Sequence, residues 1–446
     1  MKNTKKAVAF VAASAMLLLS ACGSSQNSSD TGSSDKPVEI TVWAWEKTYE
    51  PVVALFEKAH PNIKVKLVNA GMTSDQYVAL NNALAAGSGI PDVAQFEYTA
   101  LQEYQINGAL KDLTEFGAAD LKDDYTPGTW DSVNLNGGIY GLPMDSGPMA
   151  FFYNKEVFDK AGVTEVPTTW DEYYEAAKKV RAAGSYIATA PDAGFFDSMI
   201  WQAGGHPFDT SADGESVTIN LTGDAGTKKF ADLWQKMLSE DLINTKVATW
   251  SDEWNRELGD GSLAGLLIGA WMPTNLVASA PQAAGKWRVA QMPTWEEGGT
   301  ENAENGGSAL AVLDASEKAK AAYEFVKFES NNRDAIASRV GGGAFPSDTG
   351  TLSDEEFLGK TTVADSDGNE IDYFGGQKYN EVLAQAAKNV ISGYKNLPFE
   401  VYARSIFDDN VAKSFDGSIT VQQGVKNWQD KLVAHAKDQG FTVKES

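Results

Sequence analysis

Apolar residues fall on alternate positions at Val38, Ile40 and Val42 and again at Ile63, Val65 and Leu67, the two-residue period of a strand. Between them, Glu50 to His60 carries Val53, Phe56 and Ala59 at helical spacing and is stopped by Pro61. Strand, helix and strand in this order predict a βαβ unit with parallel strands. The loop Trp43-Ala44-Trp45-Glu46-Lys47 then lies at the carboxyl end of the first strand, where open α/β sheets bind ligands. Thr73 with Gln76 reads as a capping box opening a helix to Ala86, with Gly87 as its stop. Pro91 to Phe96 predicts a third strand, and Glu97 and Tyr98 occupy the turn into a helix from Thr99 to Gly108.

The pattern changes after Gly141. Leu142 to Pro148 carries two prolines and a glycine, and an apolar strand follows at Met149 to Tyr153. A helix over Lys155–Ala161 is next, then a second capping box, Thr169 with Glu172, opening Trp170 to Ala183. Asp209 to Asn220 predicts a hairpin around Asp213-Gly214. Gly265–Trp271, Trp287–Met292 and Ala309–Leu313 read as strands, Ser316–Glu329 as a helix, and Gly341-Gly342-Gly343 as a break before a largely helical remainder. The class is α/β in two lobes.

The first residues follow another rule. Lys2, Lys5 and Lys6 precede an apolar run, Ala7 to Leu19, too short to span a bilayer stably, and Leu19-Ser20-Ala21 leads into Cys22, the one cysteine. This reads as a signal peptide over 1–21 with a lipobox, Cys22 carrying lipid after cleavage. Residues 22–37 are almost all small and polar and read as a flexible tether. About 410 residues remain, suited to two domains of roughly 200 each. With Cys22 lipidated no disulfide is available, so stability rests on burial. Loss of the three signal lysines takes the formal charge from -24 to -27, which disfavours nucleic acid and anionic headgroups as partners.

Catalytic signatures are missing. The chain has no Gly-x-Ser-x-Gly elbow, no P-loop and no His-Glu-x-x-His, and its three histidines are scattered. Gly259-x-Gly261 reads as a turn, and Asp365-Ser366-Asp367-Gly368 as a polar hairpin turn that lacks the later ligands of a calcium loop. No cofactor or metal is expected. Aromatic residues in predicted loops are the positive signal: Trp43, Trp45, Tyr98, Phe195, Phe196, Trp201, Trp250, Trp254, Trp271 and Tyr394. A sugar ring offers an apolar C–H face and a rim of hydroxyls, which aromatic platforms and short polar side chains satisfy respectively. Trp170, Trp234 and Trp428 lie at helical spacing and are assigned to the core. Because carboxylates are plentiful, a surface-anchored glycoside hydrolase, with two acids flanking one bond, is the alternative from another class.

The lipobox Leu19-Ser20-Ala21-Cys22, the segment Ile40 to Glu46, Gly89-Ile90-Pro91-Asp92-Val93, the block from Tyr140 to Trp170 and Gly269-Ala270-Trp271 occur in an order that resembles a known family. The chain is similar to the extracellular solute-binding proteins of ABC importers, the oligosaccharide-binding lipoproteins of Gram-positive bacteria, and most of all to actinobacterial members that capture plant-derived oligosaccharides. The resemblance implies a two-lobed periplasmic-binding-protein (Venus-flytrap) fold, with 38–146 and 307–345 in the N-terminal lobe and 147–306 and 346–446 in the C-terminal lobe. It implies crossings near Asp145–Met149, Glu301–Ser308 and Gly343–Ser347, and ligand contacts from Glu46, Lys47, Glu97, Tyr98, Asp145 and Trp271. Phe196 and Tyr394 are added from loop context. The implied partners are a neutral oligosaccharide, with xylo- or arabinoxylo-oligosaccharides favoured over α-galactosides or fructo-oligosaccharides, and permease subunits whose ATPase is a separate polypeptide. The implied protein is a monomer held on the extracellular face of the cytoplasmic membrane through its lipid alone. A sensor-linked or non-sugar solute-binding protein is the remaining alternative.

Overall fold

A computed structural model describes residues 37–444, so the signal, Cys22 and nearly all of the tether lie outside the described residues. One lobe is built on a five-stranded mixed sheet in the order Ile63–Val68, Val38–Trp43, Val93–Glu97, Ser308–Val312, Leu142–Pro143. The first three strands are parallel, with Val38 opposite Ile63 and Val42 opposite Val93. Ser308–Val312 runs antiparallel to Val93–Glu97 and is buried along its whole length. Helices Tyr49–Ala59 and Thr73–Ala86 make the crossovers between the parallel strands. The first of them buries Tyr49, Val52 and Phe56, a stripe one residue away from the Val53 and Ala59 read from the sequence.

The other lobe centres on an antiparallel sheet, Gly265–Gly269, Met149–Asn154 and Trp287–Ala290, with Met149–Asn154 in the middle. Successive side chains of a strand point to opposite faces. Accordingly Met149 and Phe151 enter one hydrophobic core with Phe196, Trp234 and Trp428, while Ala150 and Phe152 enter another with Trp254, Trp287 and Tyr373. Trp170, Trp234 and Trp428 are all buried, as their spacing requires. The predicted hairpin forms as Phe208–Thr210 and Ser216–Ile219, turned at Asp213-Gly214. Gly261 ends the helix Asp252–Asp260, and Asp365–Gly368 is the turn between Val363–Ala364 and Glu370–Ile371.

The two predicted capping boxes part company. At Thr169 the hydroxyl accepts from Glu172 N and the Glu172 carboxylate accepts from Thr169 N. At Thr73 no side-chain cap forms: the helix is preceded by Met72, and Gln76 is buried with its amide donating to Gln95 O at 2.7 Å. The glutamine ties the helix to the neighbouring strand, a contact that outcompetes the local cap.

Three extended segments run between the sheets side by side and bond to one another. Met149 N donates to Ala303 O (2.9 Å), Asn305 N to Gly147 O (2.7 Å) and Ser146 N to Phe345 O (3.1 Å). Gly147 lies so close to Asn305 O that a β-carbon there would collide with it, so only glycine allows this approach. The Glu304 carboxylate accepts from Ser146 Oγ (2.9 and 3.1 Å) and Gly147 N (2.5 Å) inside this seam. Burial pushes Glu304 up to about 7.

Candidate functional site

The two lobes also meet away from the seam, where helix Glu400–Ser405 packs on helix Tyr98–Ile106 and Val401 N donates to Glu103 Oε2 at 3.4 Å. Between this contact and the seam lies a cleft of two compartments, of about 530 and 360 Å³. Thr99, Gly306 and Arg404 line both. These volumes fall in the roughly 300–1,000 Å³ range of small-molecule sites.

Tyr77, Glu97 and Thr99 of the first lobe face Phe195, Trp250 and Trp271 of the second across the larger compartment. Trp271 follows the strand Gly265–Gly269 after one residue, Ala270, and its Nε1 donates to Asn305 O at 2.7 Å. A β-carbon at Gly269 would strike both that indole and Asn305 O, so the bare glycine lets the ring fold back over the strand end. Trp250 stacks beside it, with centroids 5.7 Å apart and planes at 32°, and also meets Trp254 at 4.9 Å. Trp250 is 48% exposed and holds a left-handed backbone at φ 69°, a costly state for a bulky side chain.

Charge concentrates where the compartments join. Arg404 lies 3.4 Å from Asp197 Oδ2 and 3.4 Å from Glu400 Oε1. Burial first, then the adjacent Glu400, pushes Asp197 well above the usual carboxylate range. Glu97 is raised by burial and drawn back by Arg404. Among the described residues no group of three or more His, Cys, Asp or Glu could hold a metal.

The expected contact residues separate into groups. Glu97 and Trp271 line the larger compartment, and Tyr98 and Tyr394 the smaller. Tyr98 Oη donates to Asp145 O at 2.7 Å, and Asp145 Oδ1 accepts from Ser308 N at 2.6 Å, so Asp145 belongs to the seam. Burial raises Asp145 to about 7. Glu46 and Lys47 sit on the loop after the first strand, outside both sets of lining residues. Glu46 N donates to Gln95 Oε1 at 3.4 Å, and the Lys47 side chain is exposed. Phe196 corrects the sequence reading. The segment expected to turn is a helix, Ala193–Gln202, capped by the Asp192 carboxylate. Phe196 is fully buried against Phe230, Phe407 and Trp428, and its neighbour Phe195 is the ring that lines the cleft.

The family model described as "Bacterial extracellular solute-binding protein" matches residues 44–334. The chain belongs to this family. An arabinooligosaccharide-binding protein of Bacillus subtilis (strain 168) is 29% identical to this solute-binding protein over 337 residues, 71% of this chain and 74% of that one. A lactose-binding protein of Rhizobium radiobacter is 29% identical over 65% and 69% of the two chains. Among solved structures, the ABC transporter associated binding protein from B. animalis subsp. lactis Bl-04, in complex with beta-1,6-galactobiose, is 54% identical. It superposes with a TM-score of 0.82 over 92% of this chain and 100% of that one. No helix of the described residues is long and apolar enough to cross a membrane.

The sequence reading of this solute-binding protein passes over Arg404 and Asp197 and names Trp250 only among the loop aromatics, not among the ligand contacts. Glu400 and Arg404 stand one helical turn apart, a visible ion-pair spacing. Nothing in the sequence links them to Asp197, 207 residues away.

Proposed function

We propose that this solute-binding protein is the lipid-anchored capture subunit of an ABC importer and that it takes a neutral oligosaccharide into the interlobe cleft. The observation that carries this reading is the Trp250–Trp271 pair facing Glu97 and Thr99 across one cavity, an apolar platform opposite polar groups. Contacts drawn from both lobes favour the closed form by the ligand's differential affinity for it. The rotation is absorbed in the seam, with 38–146 and 307–345 moving against 147–306 and 346–446. The monomer then docks on permease subunits whose ATPase is a separate chain.

A short β-linked galacto-oligosaccharide is the first ligand to test, because the relative at 54% identity is described in complex with beta-1,6-galactobiose. Arabino- and xylo-oligosaccharides are the second, supported by the arabinooligosaccharide-binding relative. Calorimetry across a panel of both kinds, with chromatography of the recovered sugar, tests the reading. Saturable binding with the sugar returned intact is expected. Cleavage of the sugar would favour the hydrolase alternative, and no binding by any neutral saccharide would overturn the proposal.

A further inference from the structure

Buried polar atoms in folded proteins are nearly always hydrogen-bonded, so several orphans on one cavity wall call for a guest. The smaller compartment has three. Asp197 Oδ1, Thr210 Oγ1 and Tyr394 Oη are all buried, all without a hydrogen-bond partner, and all belong to residues that line it. Asp197 and Thr210 are themselves only 4% and 5% exposed, so these groups are built into the wall. Asp197 stands beside Glu400, a second acceptor, and its other oxygen is the one that meets Arg404. Tyr394 stacks on Trp201 with centroids 5.0 Å apart and planes at 9°, while the Trp201 Nε1 is occupied by Ile391 O. The compartment therefore presents two unpartnered hydroxyls beside a carboxyl that leans on Glu400, next to an aromatic surface.

We propose that the smaller compartment is a second sugar subsite, whose Asp197, Thr210 and Tyr394 take the hydroxyls of a further ring, so that the preferred ligand fills both compartments. This rests on the oligosaccharide reading and sharpens it to chains longer than a disaccharide. Sugar hydroxyls both donate and accept, which suits the carboxyl and the two hydroxyls at once. An ammonium group would leave the Thr210 and Tyr394 hydroxyl protons unused. Tyr98, Thr99 and Gln102 of the first lobe form the opposite wall, so the subsite is complete only when the lobes are together.

The test is calorimetry with di-, tri- and tetrasaccharides of one linkage, on the full mature protein and on Thr210→Val and Tyr394→Phe. The trisaccharide is expected to bind at least tenfold more tightly than the disaccharide. Each variant, leaving a buried partner unmet, is expected to reduce that ratio roughly fivefold to tenfold. Thermal unfolding of each variant checks that it folds; Thr210→Ser, which restores the hydroxyl, is expected to restore the ratio. Equal affinity for disaccharide and trisaccharide, or a ratio untouched in both variants, would show a cavity that holds water only and would overturn the proposal. Absence of binding by every saccharide would instead overturn the oligosaccharide reading itself.

Discussion

The two walls of the cleft are made in different ways. The first lobe centres its wall on Glu97, Tyr98 and Thr99, from one strand end and the helix turn after it, with Tyr77 of the preceding helix and the segment 131–136 flanking them. The second lobe gathers Phe195, Trp250, Trp271 and Arg404 from four separate segments around a three-stranded antiparallel sheet. A strand end delivers its side chains wherever the sheet is sited. A wall assembled from distant helices depends on packing, so there a single residue of offset decides whether a side chain faces ligand or core.

Phe195 and Phe196 test that contrast most sharply. Phe196→Ala is expected to destabilise the fold by about 3–5 kcal/mol, read by denaturant unfolding, because it opens a cavity in a fully packed core. Phe195→Ala is expected to weaken sugar binding with a much smaller loss of stability. Equal loss of stability in both variants would abolish the distinction. Next in size is Trp271→Ala, expected to lower sugar affinity on the order of thirtyfold to a hundredfold by calorimetry, as for a buried aromatic anchor. An affinity held within twofold would remove its role as platform. Trp250→Gly is expected to cost about tenfold in affinity while the unfolding temperature holds or rises, since glycine relieves the left-handed backbone. The smallest effect concerns the seam. Glu304, pushed up to about 7, keeps in the folded state a proton that the unfolded chain releases above its ordinary value near 4.5. Stability from this group therefore falls as pH rises from about 4.5 to about 7 and levels off above that. Glu304→Gln should flatten this trend in thermal unfolding, by a few degrees on the order expected for a chain of this size. An unchanged slope would place the titration elsewhere.

How much was legible in the sequence follows the same division. The βαβ opening, the Thr169–Glu172 cap and the cores holding Trp170, Trp234 and Trp428 rest on local pattern, which survives folding, whereas the family resemblance places Glu97 and Tyr98 at the cleft, at a strand end that the pattern also predicts. Trp271 was legible because a strand, a glycine and an aromatic ring in succession form a local motif. Phe196 is read from loop context, although its segment is the helix Ala193–Gln202, whose periodicity turns that ring into the core. Thr73 and Gln76 matched a capping box, but the glutamine found a better partner in Gln95 O. The meeting of Arg404 with Asp197 is a long-range event that no local pattern encodes.

Arg404 has a further consequence for the junction of the two compartments. One cation stands there against two acids, Asp197 and Glu400, with Glu97 and Asp192 adding to its field. Burial holds Asp197 and Glu97 toward their protonated forms, so the guanidinium is set against little net negative charge. The doorway between the chambers is therefore polar without a strong field of either sign, and it can turn hydrogen-bonding groups toward both rooms at once.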